Sequence, residues 1–155
     1  MDRATKVAIL NRVLHGTVNS VVQYIEVATP HVPAGLEEGR RKLQELRDAE
    51  ARTATEITDL VAALDGVPEV GVFPYWNVDL NYLDLRFLAR FAAQHQEKVI
   101  AEIEGDLDLV RGDPRLHGTL SRILEEKRAH LDVLKEIGTP PPPKPKPEKK
   151  AAKAE

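Results

Sequence analysis

Apolar residues recur along this chain at steps of three and four, the spacing that lines up one face of an α-helix. Val7, Leu10, Leu14, Val18, Val21 and Ile25 form one such stripe and predict a first helix from about Arg3 to Ala28. Pro30, Pro33 and Gly35 break it. Leu43, Leu46, Glu50, Thr53, Ile57, Leu60 and Leu64 form a second, over about Leu36 to Leu64, with two polar residues seated on stripe positions. A third runs from about Val78 to Val110 on Leu80, Leu83, Phe87, Leu88, Phe91, Val99 and Ile103. The fourth opens at Asp113-Pro114, an N-cap followed by proline in the first turn. It closes at Gly138, a helix-stop residue. No strand signal appears.

The connections set the topology. Helices one and two, and helices three and four, are joined by short breaks, as antiparallel neighbours are. Between helices two and three lies GVPEVGVFPYWNVD, Gly66 to Asp79, without helical period. Its 14 residues, fully extended at roughly 3.3 Å each, reach about 46 Å. A helix of about 30 residues is roughly 45 Å long. The segment is just long enough to run the length of the bundle and start helix three parallel to helix two. The expected fold is therefore all-α, an antiparallel four-helix bundle with one long crossover, over residues 1–138. Phe73, Tyr75 and Trp76 are expected to pin the crossover to the bundle, or to rim a ligand site.

Composition adds limits. From Thr139 onward the chain holds six of its eleven prolines and no large apolar residue, so a disordered, extended tail is expected. Five lysines against two glutamates make that tail +3 and leave −6 for the remainder of a chain whose net charge is −3. An acidic body does not fit nucleic-acid binding. The absence of cysteine excludes disulfides and cysteine-held metal centres. No apolar run approaches a membrane span, and no secretory signal is visible, so a cytoplasmic protein is expected. Ile9, Val13 and Val27 widen the first stripe, and that surplus apolar surface predicts a homodimer. The Pro/Lys tail is a candidate site for a protein partner.

Candidate chemistry sits where polar residues interrupt the stripes. In ILEEKRAHLDVL, Lys127 occupies the middle of the apolar stripe of helix four, with His130 at its edge. Helix one offers Glu26 on a flank, helix two Glu50 and Thr53, and helix three Gln94, His95 and Glu102. Bundles that bind two metal ions carry a Glu on two helices and Glu-x-x-His on the others, aiming carboxylate and imidazole inward toward iron or manganese. Each residue also has a plainer reading. Lys127 can snorkel its amine to an edge, Glu26 can be solvated, and His95 and His130 can be hydrogen-bonded core histidines.

The segments VVQYIEVATP, DAEARTATEITDLVAALDGVP and ILEEKRAHLDVL, within about Val7 to Ile137, resemble the ferritin-like superfamily of rubrerythrin and bacterioferritin type. The resemblance implies dinuclear metal binding, iron oxidation or peroxide reduction, and dimers or cages. It implies that Glu26 and Glu50 are the carboxylates of helices one and two and that Gln94 stands for that of helix three. Thr53 stands where His belongs and Lys127 where Glu belongs, with His130 retained. Replacing a carboxylate by an ammonium removes a ligand and adds like charge. At about 4 Å and an effective dielectric near 20, each charge pair is worth roughly 4 kcal/mol, enough to exclude metal. The reading that follows is a non-catalytic binding or structural protein without cofactor. Its eroded site is a buried polar cluster of Glu26, Glu50, Thr53, Gln94, Lys127 and His130. The alternative is a di-iron or di-manganese carboxylate protein holding metal on Glu26, Glu50, His130 and His95.

Overall fold

The computed structural model describes residues 1–25, 27–72 and 80–140. Five helices follow in order: α1 Arg3–Val18, α2 Val21–Ile25, α3 Glu37–Ala63, α4 Leu85–Leu109 and α5 Pro114–Gly138. Together α1 and α2 fill the place of the expected first helix, and the result is a four-helix bundle. Among the described residues no strand forms, only an isolated parallel bridge between His31 and Asp84. No described helix is long and apolar enough to cross a membrane.

Ion pairs between helices trace their directions. Arg3 at the start of α1 meets Asp65 just past α3. Lys42 early in α3 meets Glu136 late in α5, while Glu56 late in α3 meets Arg122 early in α5. Lys135 reaches Glu97, and Arg128 reaches Glu104. So α1 opposes α3, and α5 opposes both α3 and α4. The third and fourth helices, α3 and α4, are therefore parallel, as the crossover requires. These pairs are mostly exposed and contribute roughly 0–1 kcal/mol each; burial carries the fold.

Three boundaries differ from the sequence reading. The first helix breaks at Asn19-Ser20 although the apolar phase continues from Val18 to Val21. The Asn19 amide closes α1 on the His15 carbonyl, and Ser20 opens α2 by accepting from the Gln23 N–H on its carbonyl oxygen and Oγ. Helix α4 begins at Leu85, later than expected, because Asp84 caps it, accepting from the Arg86 and Phe87 N–H groups. Just before it, Tyr82 sits at φ 62°, outside helical space. Gly138 is the last helical residue rather than a left-handed stop. A Cβ there would lie 2.7 Å from Arg90 Cγ and 3.3 Å from Arg90 N, so α4 and α5 need glycine in order to close.

The crossover leaves α3 and travels along α1. The Asn11 side chain donates to the Val67 carbonyl at 2.9 Å and accepts from the Glu69 N–H at 3.0 Å, pairing with the crossover much as a peptide unit would. Asn19 donates to the Val70 carbonyl. Gly71 follows at φ 69°, with His15 Nδ1 only 2.1 Å from where a Cβ would stand. Phe73, Tyr75, Trp76 and Val78 lie outside the described residues, as do residues 141–155 of the tail.

Two apolar clusters fill the bundle. One joins Ile9, Leu10, Leu14, Ile57, Leu120 and Ile123, and the other Val21, Ile25, Leu43, Leu88 and Leu134. Ile9 and Val13, expected to face a partner, are 1% and 3% exposed within the single chain. Of the three residues behind the dimer expectation only Val27 remains on the surface. The wide stripe exists because α1 packs against α3 on one side and α4 on the other.

Candidate functional site

Between the two apolar clusters, at mid-height, lies a polar layer built by every helix of the bundle. The third helix, α3, supplies Glu50 and Thr53, and α5 supplies Lys127, His130 and Glu126. Gln96 comes from α4, and the α1–α2 junction supplies Ser20. Lys127 is wholly buried, and so is Glu50. Its amine does not reach the bundle edge. Instead Nζ donates to Glu50 Oε1 at 2.8 Å. The other carboxylate oxygen, Oε2, accepts from the buried hydroxyl of Ser20 at 2.5 Å. His130 Nδ1 stands 3.6 Å from Glu50 Oε1 and has no hydrogen-bond partner.

A second, shallower pair lies beside the first. Thr53 Oγ1 donates to Glu126 Oε1 at 2.8 Å. His130 Nε2 is 4.0 Å from that same oxygen, so the imidazole lies between the buried carboxylate and the half-buried one. Arg122 reaches Glu126 at 3.6 Å from the surface side. Behind Lys127, Gln96 Nε2 donates to the Lys127 main-chain carbonyl at 3.1 Å, tying α4 to α5 at the level of the ion pair. His95 is half-buried on the flank of this layer.

The electrostatics follow from the geometry. Burial pushes the Glu50 carboxyl upward, but the Lys127 ammonium, the adjacent His130 imidazole and the hydrogen bonds from Lys127 and Ser20 outweigh it and hold it down at about 2. His95 is pushed below the ordinary imidazole range by burial, with Glu50 acting against that and Lys127 with it. For a carboxylate held low in the fold, the stabilisation is complete above the unfolded-chain value and disappears as pH falls through the folded one. The Glu50 contribution should therefore persist at neutral pH and drain away between about pH 4.5 and 2, a total on the order of 3 kcal/mol. Urea melts of wild type and Glu50→Gln across that range should converge as the pH drops. A constant gap would mean that Glu50 is not ionised in the fold.

Sequence reasoning placed Glu50, Thr53, Lys127 and His130 in one layer, and the structure brings those four together. Gln94 does not join them: it is exposed, and Gln96, two residues on, is the buried glutamine of α4. Glu102 is exposed as well. Glu26 lies outside the described residues. Three members were missed: Ser20, Gln96 and Glu126. For Ser20 a signal existed, because Ser20-Val21-Val22-Gln23 is the spacing of a helix-opening capping box.

Residues 7–139 match the family model of the ferritin-like domain. The chain belongs to that family. No curated protein matches it. Among solved structures, this ferritin-like chain is similar to a ferritin-like, diiron-carboxylate protein from Bacillus anthracis str. Ames. That match has TM-score 0.69 and 16% identity, over 90% of this chain and 100% of that one. It is also similar to the bacterioferritin of Desulfovibrio desulfuricans, described with a diiron site, at TM-score 0.69 and 19% identity over 88% of this chain and 79% of that one. Identities this low establish the shared fold.

The described donors of this ferritin-like layer do not suit two divalent ions. Among the described residues, no three of His, Asp and Glu stand where they could hold one ion. Both oxygens of Glu50 already accept from donors, one of them a full positive charge, and Thr53 presents a hydroxyl already spent on Glu126. A cation entering here would have to displace an ammonium from a buried carboxylate.

Proposed function

We propose that this ferritin-like chain is a non-catalytic binding or structural protein, and that the Glu50–Lys127 ion pair stands where diiron-carboxylate members of the fold hold metal. The observation that carries the reading is the 2.8 Å contact between Lys127 Nζ and Glu50 Oε1, with both side chains wholly excluded from solvent. A carboxylate buried in the centre of a bundle must be neutralised by a cation or a proton. A tethered ammonium does this permanently, without ligand exchange, redox change or an open coordination position. The layer then registers the helices: Glu50 fixes α3 against α5 through Lys127 and against the α1–α2 junction through Ser20.

The alternative is a di-iron or di-manganese carboxylate protein. It draws support from the description of one structural neighbour as diiron-carboxylate and of the other with a diiron site, and from the unpartnered Nδ1 of His130. Elemental analysis of protein grown with added iron and manganese separates the two readings. The proposal expects metal well below one ion per chain, whereas a stoichiometric ion would overturn it. The exposed Val27 leaves the homodimer as an open part of the proposal, decided by sedimentation equilibrium on the full chain.

A further inference from the structure

At the end of the bundle where α1 and α5 begin and α3 ends, a crevice of about 200 Å³ opens between the helices. Leu60 of α3, Leu64 just past it and Leu116 of α5 form its walls, and Leu10 of α1, only 1% exposed, lies at its floor. An apolar cavity of about 150 Å³ is large enough to take up benzene. The mouth of this crevice is polar. Lys6 and Asp113 pair across it at 2.6 Å. Asp113 also caps α5, accepting from the Leu116 N–H at 3.1 Å, and these contacts with Lys6 and the helix backbone hold its carboxyl below the usual range. Asp113 is thus already neutralised. Arg115 lines the same mouth, and its guanidinium has no ion-pair or hydrogen-bond partner among the described residues. The mouth therefore carries one unmatched positive charge above apolar walls.

The geometry points to a binding site for a small amphipathic carboxylate, its hydrocarbon part against Leu10, Leu60 and Leu116 and its carboxylate on the Arg115 guanidinium. A guanidinium fork matches the two oxygens of a carboxylate in a planar, bidentate way. One net charge suits a monoanion better than a phosphate. Small-ligand sites typically combine apolar walls with a few polar groups that orient the ligand. The site uses neither Glu50 nor Lys127, so it stands or falls independently of the metal question.

The test is a titration of the full chain with sodium octanoate, followed by NMR of isotope-labelled methyl groups. Shifts should centre on Leu10, Leu60, Leu64 and Leu116 and report a dissociation constant of about 0.1 to 1 mM. Arg115→Gln, a change at an exposed position that leaves the core intact, should weaken octanoate by roughly tenfold, the loss of the charge and the bidentate fork with one neutral donor left in their place. The same change should leave binding of 1-octanol unaltered. Absence of shifts at these leucines, or equal affinity of wild type and Arg115→Gln for octanoate, would overturn the assignment. An equal loss for 1-octanol would overturn it too, because the carboxylate would then play no part.

Discussion

Replacing Lys127 by methionine should lower the unfolding free energy by about 3–5 kcal/mol, the cost of leaving a buried charge without its partner. Methionine fills most of the volume, so the loss is electrostatic rather than a cavity effect. Glu50 then keeps only the Ser20 hydroxyl and the nearby imidazole, and it must either take up a proton or drag water inward. The double variant Lys127→Met with Glu50→Gln should recover most of this and finish within about 2 kcal/mol of wild type, because no uncompensated charge remains. The new amide still accepts from Ser20 on its oxygen, and its nitrogen faces His130 Nδ1, which lies 3.6 Å from the present carboxylate oxygen. Urea melts of the two single variants and the double complete a thermodynamic cycle, and the coupling should exceed about 2 kcal/mol. A single-variant cost below about 1 kcal/mol would mean that the amine spends its time elsewhere.

This layer was half legible in the sequence, and the split has physical causes. Glu50, Thr53 and Lys127 occupy stripe positions flanked by large aliphatics and His130 stands at the stripe edge, so the sequence places them on the inward side of α3 and α5. On α4 the resemblance, rather than the stripe, points to Gln94 as the stand-in for the helix-three carboxylate, and the Phe87–Phe91 pair does not mark the buried face. The buried face of α4 is marked by Ala89, Ala92 and Ala93, all 6% exposed or less, while Phe87 is 44% exposed. Alanines let the backbones approach closely, and they carry little weight in a count of hydrophobic residues. On the true phase, Gln96 rather than Gln94 faces inward. Ser20 was hidden for a different reason: the break at Asn19 preserves apolar register on both sides, so periodicity cannot detect it. Only local chemistry reveals it, through a capping serine three residues before a glutamine.

The bundle itself was easier, because chain lengths constrained it. The aperiodic stretch of 14 residues was already long enough to span the bundle, which made parallel α3 and α4 the expected arrangement whatever side chains it carries, and the observed connection over residues 64–84 is longer still. What length could not give was the anchoring of that crossover, which depends on Asn11 of α1 and Asn19 at its C-terminal cap. The Asn11 and Asn19 side-chain amides, one on the helix and one capping it, meet main-chain groups of Val67, Glu69 and Val70. A lone asparagine beside a stripe has many partners available, and its partner becomes readable only once the crossover is in place.

Reversing the charge of the layer should convert this bundle from metal-indifferent to metal-dependent. In the double variant Thr53→His with Lys127→Glu, the amine that now neutralises Glu50 becomes a second carboxylate facing it. Without metal the pair repels, one group is driven to bind a proton, and the melting temperature should fall. With excess manganese or ferrous ion, Glu50, the introduced carboxylate, the introduced imidazole and His130 Nδ1 can all donate, and Nδ1 has no hydrogen bond to give up. Ligand at 100 to 1,000 times its dissociation constant should return about 3–4 kcal/mol of stability. Glu126 loses the Thr53 hydroxyl in this variant but keeps Arg122 at 3.6 Å, so the shallower pair should survive. Thermal melts with and without metal, against chelator, make the comparison. Wild type should not respond, because its carboxylate is already held by a cation that cannot leave. A helical double variant that melts identically with and without metal would show that positions 50, 53, 127 and 130 do not form a ligand set. A wild-type response of the same size would show that the ammonium yields to metal, and with it the proposed function would fail.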